Sequence, residues 1–294
     1  MKIKIKSLCI IMSLACLALF SACNANSSEE ENVGTNKPII AVSIVPEQTF
    51  VRAVCGDLVD TVVMIPPGFS PENYEPTPRE TEAFSKSALY FSIGVPTEET
   101  NILPLISDDT KLVSLAEVCR AEYDELSING GRDPHIWLSP KRAKLMVTAI
   151  ANEMSAFDPA NAKVYSANAA AYNEKIDAAD SEIREALSEI ANPAFIVFHP
   201  AFGYFADEYG LSMYALENEG KEATAATLQS MTDLARREGI KVIFYQAEID
   251  SSQSAAFAEE IGGTAVRLDP LAADYIENLK AMATAIAEGS PDGK

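Results

Sequence analysis

The sequence predicts an α/β protein of two lobes, each a mostly parallel sheet flanked by helices, joined by one long rigid helix. Short apolar runs bounded by turn residues alternate with amphipathic segments in the first and last thirds of the chain, a pattern typical of parallel sheets covered by helices. Residues 160–191 contain neither glycine nor proline. The length of 294 residues fits about two ordinary domains.

The first lobe begins with strand and helix patterns in alternation. Its predicted strands are continuous apolar runs, at residues 38–45, 61–65, 88–93 and 111–115. Between them, residues 48–57 carry apolar side chains at helical spacing, and Gly56 closes that segment. Residues 78–86 form the second predicted helix, and Pro66-Pro67-Gly68 stops the strand before it.

The middle of the chain is predicted to be helical throughout. Residues 140–157 form one amphipathic helix, and Asp158-Pro159 breaks it. Residues 160–191 then predict a single helix of about 30 residues, which would span roughly 45 Å. We expect this helix to bridge the two lobes as a stiff strut.

The second lobe repeats the strand and helix alternation. Its predicted strands are residues 194–198, 211–216, 241–246 and 264–268. Its predicted helices are residues 224–238, 251–261 and 274–288. Glycines directly follow the first two helices, as helix ends commonly require.

The N-terminus predicts export and a lipid anchor. Three lysines precede an apolar stretch from Ser7 to Phe20 that is too short to span a membrane. Small residues then precede Cys23, which resembles a bacterial lipoprotein cleavage site and implies lipidation of Cys23. The predicted domains are a signal peptide (1–22), a flexible tether (23–37), a first lobe (38–140), a helical linker (141–192) and a second lobe (193–294).

The composition argues against a nucleic-acid partner and leaves open whether Cys55 and Cys119 form a disulfide. The formal charge of −20 argues against nucleic acid, because phosphate repels an acidic surface. In an exported protein Cys55 and Cys119 either pair or stay as two buried free thiols. Neither belongs to a Cys-x-x-Cys motif, so a zinc-finger or thioredoxin-like site has no support.

Four candidate metal donors lie at the ends of apolar runs, two in each half of the chain: Glu72, His135, His199 and Asp269. Ligands of open α/β sheets bind beyond the carboxyl ends of the strands, so we expect these side chains to meet between the lobes. Imidazoles with carboxylates suit zinc, manganese or iron(II). Binding should weaken below the ordinary imidazole pKa of about 6.5, because the ligating rings must be neutral.

The segments around these donors resemble the metal-specific solute-binding lipoproteins of ABC importers, the zinc/manganese family also called cluster A-I. The similar motifs are residues 74–78, 133–140, 198–205 and 268–271. The resemblance implies two α/β lobes joined by a rigid helix, with metal ligands at the four donors named above. It also implies a non-enzymatic, monomeric receptor for zinc or manganese, lipid-anchored on the extracytoplasmic face, that serves an ABC permease.

The chain departs from the family pattern in three places. Glu72 replaces the usual histidine, Gln246 stands where glutamate is common, and residues 121–132 contain none of the histidines of zinc importers. Glu72 makes the donor set harder, which favours manganese or iron(II), whereas the Irving–Williams order favours zinc. Glu75, Gln246 and Glu248 are possible neighbours of the ligands.

The sequence leaves three alternatives to metal import open. A metallohydrolase usually holds zinc with three protein ligands and water, but no His-Glu-x-x-His or His-x-His occurs, and a fourth protein donor would close the site. A surface adhesin or scaffold on the same fold is the second alternative. A receptor of the same fold whose altered first ligand, Glu72, no longer binds metal is the third.

Overall fold

Two parallel sheets of four strands each form the framework of the described structure. The computed structural model describes residues 37–128, 130–217, 223–248 and 252–291. The predicted signal peptide, Cys23 and the tether before Lys37 lie outside these residues. No helix in the described ranges is both long and apolar enough to cross a lipid bilayer.

The first sheet has the strand order β2-β1-β3-β4, with all neighbours parallel. Its strands are β1 (Ile39–Val42), β2 (Asp60–Val63), β3 (Leu89–Ser92) and β4 (Lys111–Ser114). The accompanying helices are α1 (Val45–Cys55), α2 (Pro78–Phe84) and α3 (Leu115–Arg120). All four predicted strands and both predicted helices of this lobe are present, with ends shifted by a few residues.

Within this lobe, the largest boundary difference is at the start of α1. The prediction extended the first strand to residue 45 and began the helix at residue 48, but the helix begins at Val45. The Glu47 carboxylate explains this, because its Oε2 accepts the backbone N–H groups of Ser43 at 2.9 Å and Ile44 at 3.0 Å. These bonds satisfy donors at the helix start and turn the chain out of the sheet.

A small hairpin and two long helices follow the first sheet. The hairpin pairs β5 (Ser127–Ile128) with β6 (Gly131–Arg132). Helix α4 (Pro140–Phe157) has the predicted bounds, and α5 (Ala162–Leu187) is the predicted long helix. Its 26 residues span about 39 Å rather than 45 Å.

Helix α5 is two residues shorter than predicted at its start and four residues shorter at its end, and the difference at the start has a local cause. Pro159–Asn161 form a separate 3₁₀ turn. The Asp158 carboxylate holds this turn by accepting from Asn161 Nδ2 at 2.7 Å and from the Tyr165 hydroxyl at 2.8 Å. Helix α5 packs against α1 and α4 as well as the C-terminal helix, so it contacts elements that precede and follow the second sheet.

The second sheet repeats the first, with the order β10-β9-β7-β8 and parallel neighbours. Its strands are β7 (Ala194–Val197), β8 (Ser212–Ala215), β9 (Val242–Gln246) and β10 (Thr264–Leu268). Its helices are α6 (Gly203–Tyr209), α7 (Ala225–Glu238), α8 (Ser252–Glu260) and α9 (Tyr275–Gly289). Helix α6 was not predicted. The fold class predicted from sequence is confirmed.

Side-chain alternation along β7 divides the apolar interior into two clusters. Phe195 and Val197 join the main core, which also contains residues of the first sheet, α4, α5 and α9. Ile196 and Phe198 face the other way, into a smaller core beneath α7 and α8. This period of two is the geometry of a strand buried on both faces. The predicted lobe boundaries at residues 140 and 192 stay predictions.

The two cysteines of the described residues are not bonded to each other. Cys55 and Cys119 are free and buried, and burial raises the pKa of each thiol to about 12. Of the two possibilities left open by the sequence, the buried free thiols are found. Both side chains are therefore inert apolar fillers of the main core.

Candidate metal centre

Three of the four predicted donors converge. Glu72, His135 and His199 each offer a ligand atom, and these atoms all lie within 4.8 Å of one another. The two imidazole rings meet edge to face, with centroids 5.3 Å apart. Glu72 Oε1 lies 3.9 Å from His199 Nε2. Side chains far apart in sequence thus surround one small volume.

His199 is placed by the carboxyl end of the second sheet. Strand β7 ends two residues before His199, and the neighbouring β8 ends two residues before Glu217. The two chains continue in parallel beyond the strands, because Glu217 N–H donates to Phe198 O at 2.9 Å. Glu217 Oε2 therefore lies 3.0 Å from His199 Nδ1. The carboxylate accepts the Nδ1 proton and leaves Nε2 free to bind a metal.

His135 is placed by a short loop that precedes α4. Asp133 is completely buried, and its Oδ1 lies 2.8 Å from His135 Nδ1. The same oxygen accepts the backbone N–H of His135 at 2.9 Å. One carboxylate oxygen thus fixes both the backbone and the ring of His135, and again Nε2 is left for the metal.

The loop of His135 is fastened to the chain beyond β10. Trp137 is buried, and its Nε1 donates to Pro270 O at 2.8 Å. The Tyr275 hydroxyl donates to Trp137 O at 2.7 Å. These two bonds join a segment that follows the first sheet to one that follows the second, so the position of His135 depends on both.

Glu72 lies in the loop between β2 and α2. Thr97 holds this loop on both sides of Glu72, since its N–H donates to Pro71 O at 3.2 Å and its hydroxyl donates to Tyr74 O at 2.5 Å. The Glu72 side chain is 33% exposed, against 9% for His199. Glu72 therefore forms the solvent-facing part of the cluster.

Asp269, the fourth predicted donor, is not part of this three-residue cluster. It directly follows β10, where its carboxylate accepts Leu271 N–H at 3.2 Å and lies 3.7 Å from the Arg267 guanidinium. Near it, burial raises the pKa of Glu248, and the charge of Asp269 adds to that increase. Glu248 Oε2 is buried without a hydrogen-bond partner among the described residues.

The remaining predicted neighbours differ in their surroundings. Gln246 ends β9 and is buried, and its Nε2 has no hydrogen-bond partner in the described part of the chain. Glu75 is exposed, three residues after Glu72 in the same loop. Neither residue belongs to the three-residue cluster.

Two residues of the site were missed by sequence reasoning. Asp133 and Glu217 were not singled out, yet each orients one imidazole. The available signals were positional: Asp133 comes two residues before a candidate ligand, and Glu217 comes one residue after a predicted strand. A carboxylate partner for each metal-ligating histidine is a general expectation.

The donor set fits a divalent transition metal. Two imidazole nitrogens and one carboxylate converge in a largely buried volume, and the carboxylate offsets part of the charge of an enclosed ion. Each imidazole is already held in one orientation by its own carboxylate, so little ordering remains to be done when a metal binds.

Comparison with known proteins identifies the family. The family described as zinc-uptake complex component A, periplasmic (ZnuA), matches residues 40–289. The chain belongs to this family. ZnuA-family proteins are the metal-binding components of ABC uptake systems, and they are not enzymes. The predicted family, the extracytoplasmic zinc- or manganese-binding function and the absence of catalysis are thereby confirmed, and an ABC transporter and a metal ion are the partners that this family implies.

Individual relatives cover most of the chain. The high-affinity zinc uptake system protein ZnuA of Bacillus subtilis is 27% identical over 87% of this chain and 86% of its own length. The manganese-binding lipoprotein MntA of Halalkalibacterium halodurans is 24% identical over 87% of each. A crystal structure of ZnuA superposes with a TM-score of 0.81 at 35% identity, over 86% of this chain and 99% of that one.

Proposed function

We propose that Glu72, His135, His199 and Asp269 enclose one zinc or manganese ion between the two lobes, and that the chain delivers this ion to its membrane permease. The observation that carries the proposal is the meeting of two imidazoles from separate lobes, each backed by a buried carboxylate. A core residue rarely needs this arrangement, whereas a metal ligand does, because Nε2 must be unprotonated and correctly aimed.

Asp269 completes the donor set in this proposal. It lies at the end of β10, one residue before the carbonyl that accepts from Trp137, in the loop adjacent to His135. A change of its side-chain direction, away from Arg267, would supply a second carboxylate oxygen to the site. Two carboxylates and two neutral imidazoles would then balance the charge of a divalent ion. Glu248, whose carboxyl is buried nearby, would help to position Asp269.

The donor chemistry suits both zinc and manganese. Carboxylate oxygens in place of a third imidazole make the set harder, which lowers the advantage of zinc. Zinc still binds most nitrogen and oxygen sites more tightly than manganese. We therefore expect both ions to bind, with zinc the tighter in solution.

The mature protein is proposed to be a monomer tethered to the outer face of the cell membrane. The sequence before Lys37 supports this, since lipid on Cys23 and a polar tether would hold the lobes beside a permease. The proposed lobes are residues 38–140 and 193–294, with residues 141–192 as the helical linker. Helix α5 would limit how far the lobes separate, so release would depend on distortion of the donors by the permease.

The decisive experiment is a calorimetric titration of purified protein with Zn²⁺ and, separately, Mn²⁺. We expect one ion to bind per chain. Glu72→Ala should weaken both ions, and Mn²⁺ by the larger factor, because the loss of a hard oxygen donor matters most to the harder ion.

Glu75→Ala is the matched control, because it removes the same side chain three residues away on an exposed part of the same loop. It should bind like the wild type. Equal weakening by the two substitutions would assign the effect to surface charge and contradict Glu72 as a ligand. Absence of saturable binding of either ion would contradict the proposed site.

A further inference from the structure

Each histidine of the metal centre is followed within a few residues by a helix. Helix α4 begins at Pro140, five residues after His135, and α6 begins at Gly203, four residues after His199. Helix α6 also packs against the short 3₁₀ turn Ile136–Leu138, which connects His135 to α4. Because the two helices continue from the two imidazoles, a contact between them bears on the distance between those rings.

Glu208 makes this contact from the last turn of α6. Its Oε2 accepts the Ser139 hydroxyl at 2.7 Å. Ser139 is completely buried and is the N-cap of α4, where its hydroxyl oxygen accepts the Arg142 backbone N–H. A carboxylate beside the N-terminus of a helix is also favoured by the helix dipole. Glu208 thus fixes the start of α4 to the end of α6.

Two cationic side chains hold the Glu208 carboxylate in this position. Lys141 Nζ, in the first turn of α4, lies 3.2 Å from Oε2, and Arg184 Nη2, from α5, lies 3.5 Å from Oε1. The Glu208 side chain is only 6% exposed. A carboxylate so deeply buried is strongly destabilising unless it is paired. Its partners therefore keep α4, α5 and α6 together at one point.

The chain segments between the imidazoles and this contact form a small ring. Residues 135–139 and 199–208 face each other at one end through the two imidazoles, whose centroids are 5.3 Å apart. At the other end they meet through Ser139 and Glu208. Metal binding would close the first end of the ring, and Glu208 already closes the second. Ligands that are held at the correct separation beforehand lose less conformational freedom when they bind.

We propose that Glu208 is a positioning residue of the metal centre, whose bond to Ser139 sets the separation of the His135 and His199 rings. This inference rests on the proposed function, since both rings must bind the same ion. Glu208 would act only through the two imidazoles and would not touch the metal. Loss of the bond should lower Zn²⁺ affinity about tenfold, which is an ordinary size for coupling between two sites of one protein.

Chelator competition measures the Zn²⁺ affinity of Glu208→Ala beside that of Asp207→Ala. Asp207 is the exposed neighbour in the same helix, so its substitution removes the same charge without loss of the bond to Ser139. Glu208→Ala should bind Zn²⁺ about tenfold more weakly than the wild type, and Asp207→Ala should bind like the wild type. Equal affinities of all three proteins, or equal losses in the two variants, would overturn the proposal.

Trp137 gives a second measurement that needs no metal. It is the only tryptophan of the chain, it is buried, and its ring centroid lies 5.2 Å from that of His135. In metal-free protein, Glu208→Ala should shift Trp137 emission to longer wavelength and increase its quenching by acrylamide, because the segment that carries both rings is less restrained. Asp207→Ala should change neither. Reduced unfolding stability of Glu208→Ala with unchanged Trp137 signals and Zn²⁺ affinity would leave Glu208 a merely structural role and contradict the proposal.

Ser139→Ala tests the same bond from the other side and still decides if Glu208→Ala does not fold. It should lower Zn²⁺ affinity as Glu208→Ala does, whereas Glu208→Gln should lose less, because its amide oxygen still accepts the Ser139 hydroxyl. Ser114→Ala is the matched control, since it removes the serine N-cap of α3 and should leave Zn²⁺ affinity unchanged. Wild-type affinity in a folded Ser139→Ala protein, or an equal loss in Ser114→Ala, would contradict the assignment.

Failure of the proposed function would give a different result from failure of this inference. If the wild type bound no Zn²⁺ saturably, the metal centre itself would be contradicted, and the Trp137 signals of metal-free protein would still show whether Glu208 restrains the His135 segment. If the wild type binds Zn²⁺ and Glu208→Ala changes the Trp137 signals alone, the restraint does not serve the metal, and the inference fails while the metal centre stands.

Discussion

The two imidazoles of the metal centre have the same chemical partner but are built in different ways. The His199–Glu217 pair joins residues that follow neighbouring strands, so the register of β7 and β8 sets it. The His135–Asp133 pair joins residues two positions apart in a loop. The first depends on the sheet and the second on a local turn. The comparison shows that the orientation of an imidazole by a carboxylate can be achieved by long-range contacts and by a local turn within one site.

The two histidine–carboxylate pairs also differ in how many hydrogen bonds the carboxylate accepts from its histidine. Asp133 holds the backbone as well as the ring of His135 and is completely buried, whereas Glu217 bonds only the ring through its side chain. The loop of His135 is further tied to the second lobe through Trp137. Disturbance of Asp133 should therefore move a ligand, while disturbance of Glu217 should mainly weaken one.

Removal of either imidazole should have the largest effect on Zn²⁺ affinity. The loss should be large for His135 and for His199 alike. His135→Ala and His199→Ala should each lower Zn²⁺ affinity by more than about 100-fold, since loss of an orienting partner alone costs 10–100-fold. Competition with a chromogenic chelator measures this. If one variant bound Zn²⁺ like the wild type, that histidine would not be a ligand.

Substitution of the two orienting carboxylates, Asp133 and Glu217, should weaken Zn²⁺ binding to different extents. Asp133→Ala should weaken Zn²⁺ binding by about 100-fold and Glu217→Ala by about tenfold, because both lose the contact to the imidazole ring and only the former loses a backbone anchor as well. The same competition assay, with circular dichroism to verify folding, gives the ratio. Equal losses would show that the backbone anchor of His135 contributes nothing to binding.

Trp137→Phe tests whether the hydrogen bond from Trp137 to Pro270 O, which links the two lobes, helps to hold His135 in place for metal binding. The change keeps an aromatic ring but leaves Pro270 O without its donor, which should cost about 1–3 kcal/mol of unfolding free energy. Zn²⁺ affinity should fall less than with Asp133→Ala. Urea denaturation and metal titration of the same preparation measure both. A stability loss with no change in affinity would limit the role of Trp137 to the core.

The buried acids Glu47 and Glu98 lie away from the metal ligands in the first half of the chain, and a change there should give the smallest effect. Burial raises the pKa of Glu47, and the nearby charge of Glu98 raises it further. The folded state then holds the proton more tightly than the unfolded state. Stability is fully present below the ordinary carboxyl pKa and is lost as pH rises through the raised value.

Glu47→Gln removes this pH-dependent loss while keeping an acceptor for Ser43 and Ile44. We expect its thermal midpoint to exceed that of the wild type at pH 8, and the difference to shrink at pH 4.5. Differential scanning calorimetry at the two pH values tests this. An advantage that is larger at pH 4.5 would reverse the sign and show that the Glu47 pKa is lowered by folding.

Much of this architecture follows from the sequence. Strands β9 and β10 end at their predicted residues, β7 ends one residue early, and α4 has its predicted bounds. Periodicity predicts such elements because local spacing decides which face is buried. The convergence of Glu72, His135 and His199 followed from parallel-sheet geometry together with the resemblance to a known family.

Other features required three-dimensional contacts. The early start of α1 depends on the Glu47 side chain folding back onto Ser43, which spacing does not encode. The partnership of Glu217 with His199 depends on which strands are neighbours, and strand order is not written in the periodicity.

X-ray absorption spectroscopy of the zinc-loaded protein tests the central claim most directly. If side chains of both lobes bind one ion, the zinc K-edge fine structure of the wild type should show two imidazole ligands and oxygen donors. His199→Ala, loaded at a higher zinc concentration, should then show one imidazole. A wild-type spectrum with a single imidazole, or one unchanged by His199→Ala, would contradict a shared site.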